Sequence, residues 1–593
     1  MNPPIPKLAV MLVAEGIFDR VLSYGECVRF LKRLDFGAVA SYVAVLSQFN
    51  EAAFESVPLM DAGQVRHVTN LLEFILLGDE LSRAREQMVG LPGQFVPFST
   101  QALMATIELA GRFSPRAGQS TGLNGAERLR VSHVLLSFQS EALSRRLLED
   151  FRTKKISDWA QLPKDAVEQF IRNMVAHNPN RPYANSLARL FAYATKQSIG
   201  ELFAARKSRT LPEWFGDNLG MSAEQYLVAA FLSGTPSLQF QIERPSSSDL
   251  VFELGRFYGS VPADVRERVG ALLQVATIDG TVPWELSRQS NTLADLLYES
   301  NQMHATPVIA FGDRRLIVST TLLRNLYACG LPHSSLNSLR MRQAEALTIQ
   351  QVKSIRGEFG MMFEGYVQWL FHEWYGDRQV QLYFAYEIYW EGNWRERDIV
   401  IISDGIAFVI EIKGHVVDFD LRRTGSFSAL KRFIAEPVLQ AYTAAEALLA
   451  GNARAADGSP IPAVGRVVPV ALVYDPIPLS IYTGDHFEPW LERMLSLPVF
   501  TSKGGRSGAL MLSLDDLELA ELALRMDVEP ERLLAALLIR TRSPELRYEK
   551  IDTLGGDTGG QSRPAPVKLL VRDANEFLRS VAISFQQPTA AGA

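Results

Sequence analysis

The chain has 593 residues, 47% of them hydrophobic and 21% charged, with a formal net charge of −6. That length exceeds what one hydrophobic core usually holds, so roughly two to four globular domains are expected, and the negative balance argues against a broadly basic nucleic-acid coat. No run approaches the roughly 18–20 uninterrupted apolar residues of a membrane span. The two cysteines, Cys27 and Cys329, offer no disulfide framework and no zinc-ligand spacing, so a cytoplasmic protein with no membrane partner is expected.

Residues 1–300 read as an irregular helical array. Leu8 to Ala14 is apolar but short and is stopped by Glu15, which suits a first buried helix better than a leader. Helical period runs through Asn70–Met88, Val131–Phe151, Ala166–Val175 and Ala184–Ala205, and Pro262 before Ala263 marks another helix start. No fixed-period repeat is present. A protein partner, a second copy of the chain or a regulatory signal would bind through this region. Residues 301–349 read as a small connector. Pro307–Val318 folds as a hairpin around Gly312-Asp313, and Ser319 or Thr320 caps a helix over Leu322–Tyr327. Arg340, Arg342 and Lys353 fit a solvated helix face.

Residues 350–545 change character. Gly360 to Glu364 opens a helical segment with Phe363, Val367, Leu370 and Phe371 on its apolar side. Tyr383–Trp390 is strongly β-forming and precedes the turn signal Glu391-Gly392-Asn393. Glu436-Pro437-Val438-Leu439-Gln440-Ala441 opens another helix, Gly451–Gly465 is a connector, and Arg466–Tyr474 reads as a strand. Thr501–Gly508 lacks the spacing of a nucleotide loop, and Leu514–Arg540 returns to helix. Residues 546–593 hold a linker, an amphipathic helix over Asp573–Phe585 and a tail from Gln586.

The chemistry concentrates between residues 395 and 413. Ile399–Ile402 and Ile406–Ile410 are β-rich, and Asp404-Gly405 between them suits a two-residue type I′ turn. If Ser403 pairs with Ile406, then Ile402 faces Ala407, Val400 faces Val409, and Asp398 faces Glu411. Strand alternation puts Asp398, Glu411 and Lys413 on one face. Directly opposed residues have Cβ atoms about 4.5–5.5 Å apart, so two carboxylates there repel unless a cation lies between them. A surface hairpin with solvated charges has the same spacing. The unbroken apolar runs argue instead for a hairpin buried on both faces, whose terminal ionisable groups need a partner or a metal. Two carboxylates and a lysine are the minimum equipment for metal-dependent cleavage of a phosphodiester.

Asp398, a gap of twelve residues, then Glu411-Ile412-Lys413 resembles the D…ExK signature of the PD-(D/E)XK nuclease superfamily. The segment around Glu364 resembles its first core helix, and Glu436–Ala441 resembles the Pro-x-x-Gln segment of its nuclease-related branch. The likeness covers roughly residues 350–540; Arg397 stands where the motif's name has proline. Length and helical period give a multidomain chain with a mostly α-helical N-terminal region; for residues 350–545 the resemblance implies an α/β restriction-endonuclease-like domain with a central mixed sheet flanked by helices. It implies Mg²⁺ or Mn²⁺ held by Asp398, Glu411 and Glu364, with Lys413 beside the phosphate and Gln440 pointing at the site. DNA is the implied substrate; RNA stays open. Arg395, Arg397, Arg422, Arg423, Lys431 and Arg432 are the candidate nucleic-acid contacts, and His415 is the one histidine near the triplet. Prokaryotic proteins of this make are often restriction or anti-phage effectors. The alternative is a non-catalytic nucleic-acid- or protein-binding scaffold carrying a relic of such a domain.

Overall fold

The computed structural model describes residues 14–55, 71–88, 98–116, 122–142, 183–207, 209–236, 246–285, 292–299, 302–329, 331–343, 347–375, 380–403, 405–414, 431–474, 492, 495–519, 521 and 565–586. The expected elements over Leu8–Ala14, Ala166–Val175 and most of Leu514–Arg540 lie outside them, as does the turn residue Asp404.

Helices fill the first half. Those used below are α1 (Phe36–Glu55), α2 (Thr100–Phe113), α3 (Gly125–Ala142), α4 (Tyr183–Thr195), α5 (Gln197–Arg206), α6 (Leu211–Leu219), α7 (Ala223–Ser233) and α8 (Ala263–Val275). The period over Ala184–Ala205 is split into α4 and α5 at Lys196. Thr210 and Ser222 begin α6 and α7 with reciprocal capping boxes to Glu213 and Gln225.

Four short strands, β1 (Val251–Glu253), β2 (Thr277–Asp279), β3 (Val308–Phe311) and β4 (Arg314–Ile317), form a sheet in the order β1-β4-β3-β2. Gly312 turns the β3–β4 hairpin at φ 64°. Two of these strands come from the stretch expected to be mostly helical. They are three residues long, too short for a period to register.

This sheet is a wall between two cores. The paired Ile309 and Leu316 join a cluster with α1, α2 and α3, while the paired Val308 and Ile317 face a cluster with α4, α7 and α8. Strand alternation alone makes that division. Residues 14–142 thus build one core, and α4 to α8 belong to the other. Ser319 caps α9 (Thr320–Arg324), and Glu51 of α1 accepts from the Ser319 hydroxyl at 2.5 Å and the Thr321 N–H at 3.0 Å, tying wall to array.

The second core continues into the C-terminal half. Helix α10 (Ile349–Tyr375) is followed by β5 (Gln381–Trp390), β6 (Asn393–Ser403), β7 (Ile406–Lys413), α11 (Glu436–Leu449), β8 (Ala453–Arg454), β9 (Arg466–Val473) and β10 (Leu510–Ser513). The six strands run β10-β9-β7-β6-β5-β8, with β5, β6 and β7 antiparallel and β7, β9 and β10 parallel. One face packs on α10 and α4; the other packs on α11 through Ala444, Ala445 and Leu448. Helices α12 (Leu514–Leu519) and α13 (Pro566–Gln586) close the α4–α10 side, with Phe577 against Phe191 at 5.7 Å between ring centroids. Among the described residues no helix is long and apolar enough to cross a membrane.

A buried charge cluster ties the halves together. Arg189 of α4 donates to Glu518 of α12 at 2.7 and 2.8 Å and to Asp515 at 2.5 Å, and Tyr366 of α10 donates to Glu518 at 2.9 Å. Both Arg189 and Glu518 are fully buried, so removing one strands the other. Arg189→Met should therefore cost about 3–5 kcal/mol, read as a lowered urea midpoint of the full chain, with partial recovery in Arg189→Met/Glu518→Gln.

Candidate active site

The β6–β7 register is the one counted from the sequence: Ser403 with Ile406, Ile402 with Ala407, Val400 with Val409. Gly405 takes φ 77°, as a type I′ turn requires. Ile399, Ile401, Ile410 and Ile412 enter the core under α10, and Val400, Ile402, Ala407 and Val409 the one under α11. The hairpin is buried on both faces, as its apolar runs predict. Alternation sends Glu411 and Lys413 to the α11 side after Val409.

The ladder stops at Ile399–Ile410, one pair short of Asp398. The expected direct facing of Asp398 and Glu411 gives way to a splayed end. On β5, Ala385 lies opposite and adopts φ 51°, an uncommon conformation for a residue with a Cβ. Phe384 faces the α10 core but Tyr386 faces the α11 core, so the strand turns over between them. In the gap the Asp398 carboxylate accepts the Ile412 N–H at 2.6 Å, and the Asp398 backbone N–H supports the Glu411 carboxylate. Side chains have replaced ladder bonds, which holds the two acids together.

Helix α10 reaches this end because two glycines meet. A Cβ on Gly414 would lie 2.6 Å from Gly360 Cα. Phe359 and Phe363 pack edge-on against Tyr474, at 4.9 and 5.2 Å, and the Tyr474 N–H donates to the Lys413 carbonyl at 3.1 Å. Glu364, one turn beyond Gly360, thereby comes near Asp398.

Burial dominates the electrostatics. It pushes the Glu411 carboxyl well above the usual range, with Asp398 adding to the rise and Arg397 and Lys413 opposing it. Asp398 is raised by burial and partly restored by the Ile412 N–H and Lys413. Glu364 is raised by burial and by Asp398, against the pull of Arg206. Glu411 Oε1, Arg397 Nε, Tyr386 Oη and Gln440 Oε1 are all buried without a hydrogen-bond partner. Such orphans are costly, and three of them adjoin one another around Glu411.

Arg397 corrects an expectation. Read as a nucleic-acid contact, it is turned inward at 8% exposure, with Nε 3.6 Å from Glu411 Oε1. The buried carboxylates draw the nearest cation, and the turnover at Ala385 gives it the room. Arg395 is exposed but pairs with Glu391 at 2.9 Å. Arg422, Arg423 and His415 lie outside the described residues, and Lys431 and Arg432 fall in a π-helical turn, Lys431–Ala435, with side chains outside them.

One member had no signal in the sequence. Arg206, the last residue of α5, donates to Glu364 at 2.7 Å and to Glu396 at 3.3 Å. It lies 158 residues from Glu364, too far for any local pattern.

Asp398 and Glu411 offer hard oxygen donors of the kind magnesium takes, and the orphaned Glu411 Oε1 and the raised carboxyls are what a divalent ion would relieve. Glu364 is committed elsewhere, to Arg206 and, at 3.0 Å, to Gln368. Accordingly, no group of three metal-ligating side chains gathers around one point among the described residues. The donor set fits a metal through two carboxylates, with the third engaged.

A carboxyl raised in the fold keeps its proton below its unfolded value of 4.5 and loses that favourable state as pH rises toward its folded value. Metal-free wild type therefore loses stability relative to Glu411→Gln as pH rises from 4.5. Melting curves of the two proteins in chelator should diverge toward pH 8, the variant melting higher. No family model, curated protein or solved structure matches this chain.

Proposed function

We propose that residues 350–545 form a metal-dependent nuclease of the restriction-endonuclease-like kind, cleaving phosphodiester bonds in DNA. The observation that carries this reading is the splayed end of the β6–β7 hairpin. There two buried carboxylates lie beside a lysine, and one has an oxygen with no hydrogen-bond partner among the described residues and only Arg397 at 3.6 Å. The order helix, three antiparallel strands, helix, parallel strand supports it as well.

Asp398 and Glu411 would hold Mg²⁺ or Mn²⁺, joined by Glu364 once that side chain is released. The ion supplies Lewis-acid neutralisation of the phosphate and an acidified water. The chain's own residues do the rest. The Asp398–Ile412 hydrogen bond fixes one carboxylate against the β7 backbone. Arg397 and Lys413 pull the carboxyls of Asp398 and Glu411 down against the rise that burial imposes. Lys413, half-buried at the strand end, can donate to a phosphate oxygen or orient the attacking water.

A binding scaffold without catalysis is favoured by one observation, the full occupation of both Glu364 oxygens by Arg206 and Gln368. A cleavage assay separates the two. Full-length protein with Mn²⁺ or Mg²⁺ should nick plasmid DNA, stop on chelation, and lose about 10²-fold or more in rate in Glu411→Gln and in Lys413→Ala. Equal cleavage by Glu411→Gln, or none by wild type on DNA and on RNA, would overturn the nuclease reading.

A further inference from the structure

Resting on that reading of the metal site, we propose that Arg206 is its resident counter-cation and competes with the divalent ion for Glu364. The helical half would thereby set how readily the site loads metal.

The placement of Arg206 is built in. Ile199 and Leu202 of α5 lie against Gly365 of α10, where a Cβ would come within 3.2 and 3.4 Å of them. Arg206 is seven residues after Ile199, on the same helical stripe, and so falls beside Glu364. It also ends its helix, where the macrodipole favours a cation. Glu364 and Arg206 are only 13% and 27% exposed, so water screens the pair weakly.

Charge balance makes the two cations alternatives. Four carboxylates, Glu364, Asp398, Glu396 and Glu411, face three cations, Arg206, Arg397 and Lys413. With all of them ionised, a divalent ion overshoots neutrality by one positive charge. Withdrawal of Arg206 restores it and frees a Glu364 oxygen at the same time. Anchoring does not depend on Arg206. Arg209 pairs with Glu358, which also takes the Trp214 indole N–H at 2.9 Å, so α5 and α6 stay docked on α10 without it.

Mn²⁺ titration of the full chain, followed by the EPR signal of free Mn²⁺, tests this. Arg206→Gln should tighten Kd at least about fivefold, the lower end of ordinary site-to-site coupling. Arg209→Gln, which breaks a neighbouring ion pair away from the site, should stay within about twofold of wild type. Placed in a Glu364→Gln background, Arg206→Gln should give no tightening over Glu364→Gln alone, because the competition runs through that carboxylate. Affinity in Arg206→Gln equal to or weaker than wild type, with binding still lost in Asp398→Asn, overturns the competition and leaves the metal site standing. Unchanged binding in Asp398→Asn, or no binding by wild type and Arg206→Gln alike, overturns both.

Discussion

The backbones of Gly360 and Gly414 touch: a Cβ on Gly414 would lie 2.6 Å from Gly360 Cα, so a side chain there would hold strand end and helix apart. The contact is set by the bare Cα of Gly414, not by the helix residue, whose own Cβ would meet nothing within 4 Å. It brings a helix of 27 residues down onto the end of β7, one turn from Glu364. With a side chain at Gly414, Glu364 would stand away from Asp398 and Arg206 would keep only Glu396 at the sheet. The nearness of Glu364 to Asp398 and the aromatic packing around Tyr474 both follow from a missing Cβ.

The electrostatics around that contact run against ordinary folding practice. Buried polar groups normally find partners, and buried charges find opposite charges. Around Arg189 the chain mostly follows the rule: the guanidinium donates to two carboxylates through Nε and Nη2 and a tyrosine hydroxyl joins them, with Nη1 left over. Around Glu411 it does not. Arg397 approaches only to 3.6 Å, Tyr386 has no partner for its hydroxyl, and Ala385 sits in a conformation that residues with a Cβ avoid. Unmet demand and local strain at one end of a sheet are the marks of a site shaped for something other than stability.

The sequence disclosed the hairpin with its register because both signals are local. An Asp-Gly turn and two apolar runs fix which residues pair, and the period of two fixes which face they take. It disclosed Asp398, Glu411 and Lys413 for the same reason. The end of the ladder at Ile399 was hidden, because the cause lies on another strand at Ala385. Arg397 was misplaced as a surface cation because its burial depends on that same turnover. Arg206 could not be found at all; its partner is set by how α5 packs across α10, which helical period does not encode. The helical half shows the same limit. Its helices over Val131–Ala142 and Ala184–Ala205 were visible as amphipathic stripes, but not that they serve different cores. The wall between those cores is made of strands of three and four residues, below the length at which alternation can be read.

The six-stranded sheet ends on one side in β8, two residues long, and on the other in β10, four residues long. β8 pairs only Glu387 and Ile388 of the ten-residue β5, so on that border most of β5 has no strand beside it among the described residues. A further strand would meet the most unpaired N–H and C=O groups there, along β5, rather than on either short end strand. That bare stretch includes Ala385, the residue opposite Asp398, so a strand added there would lie along the turnover that shapes the hairpin end.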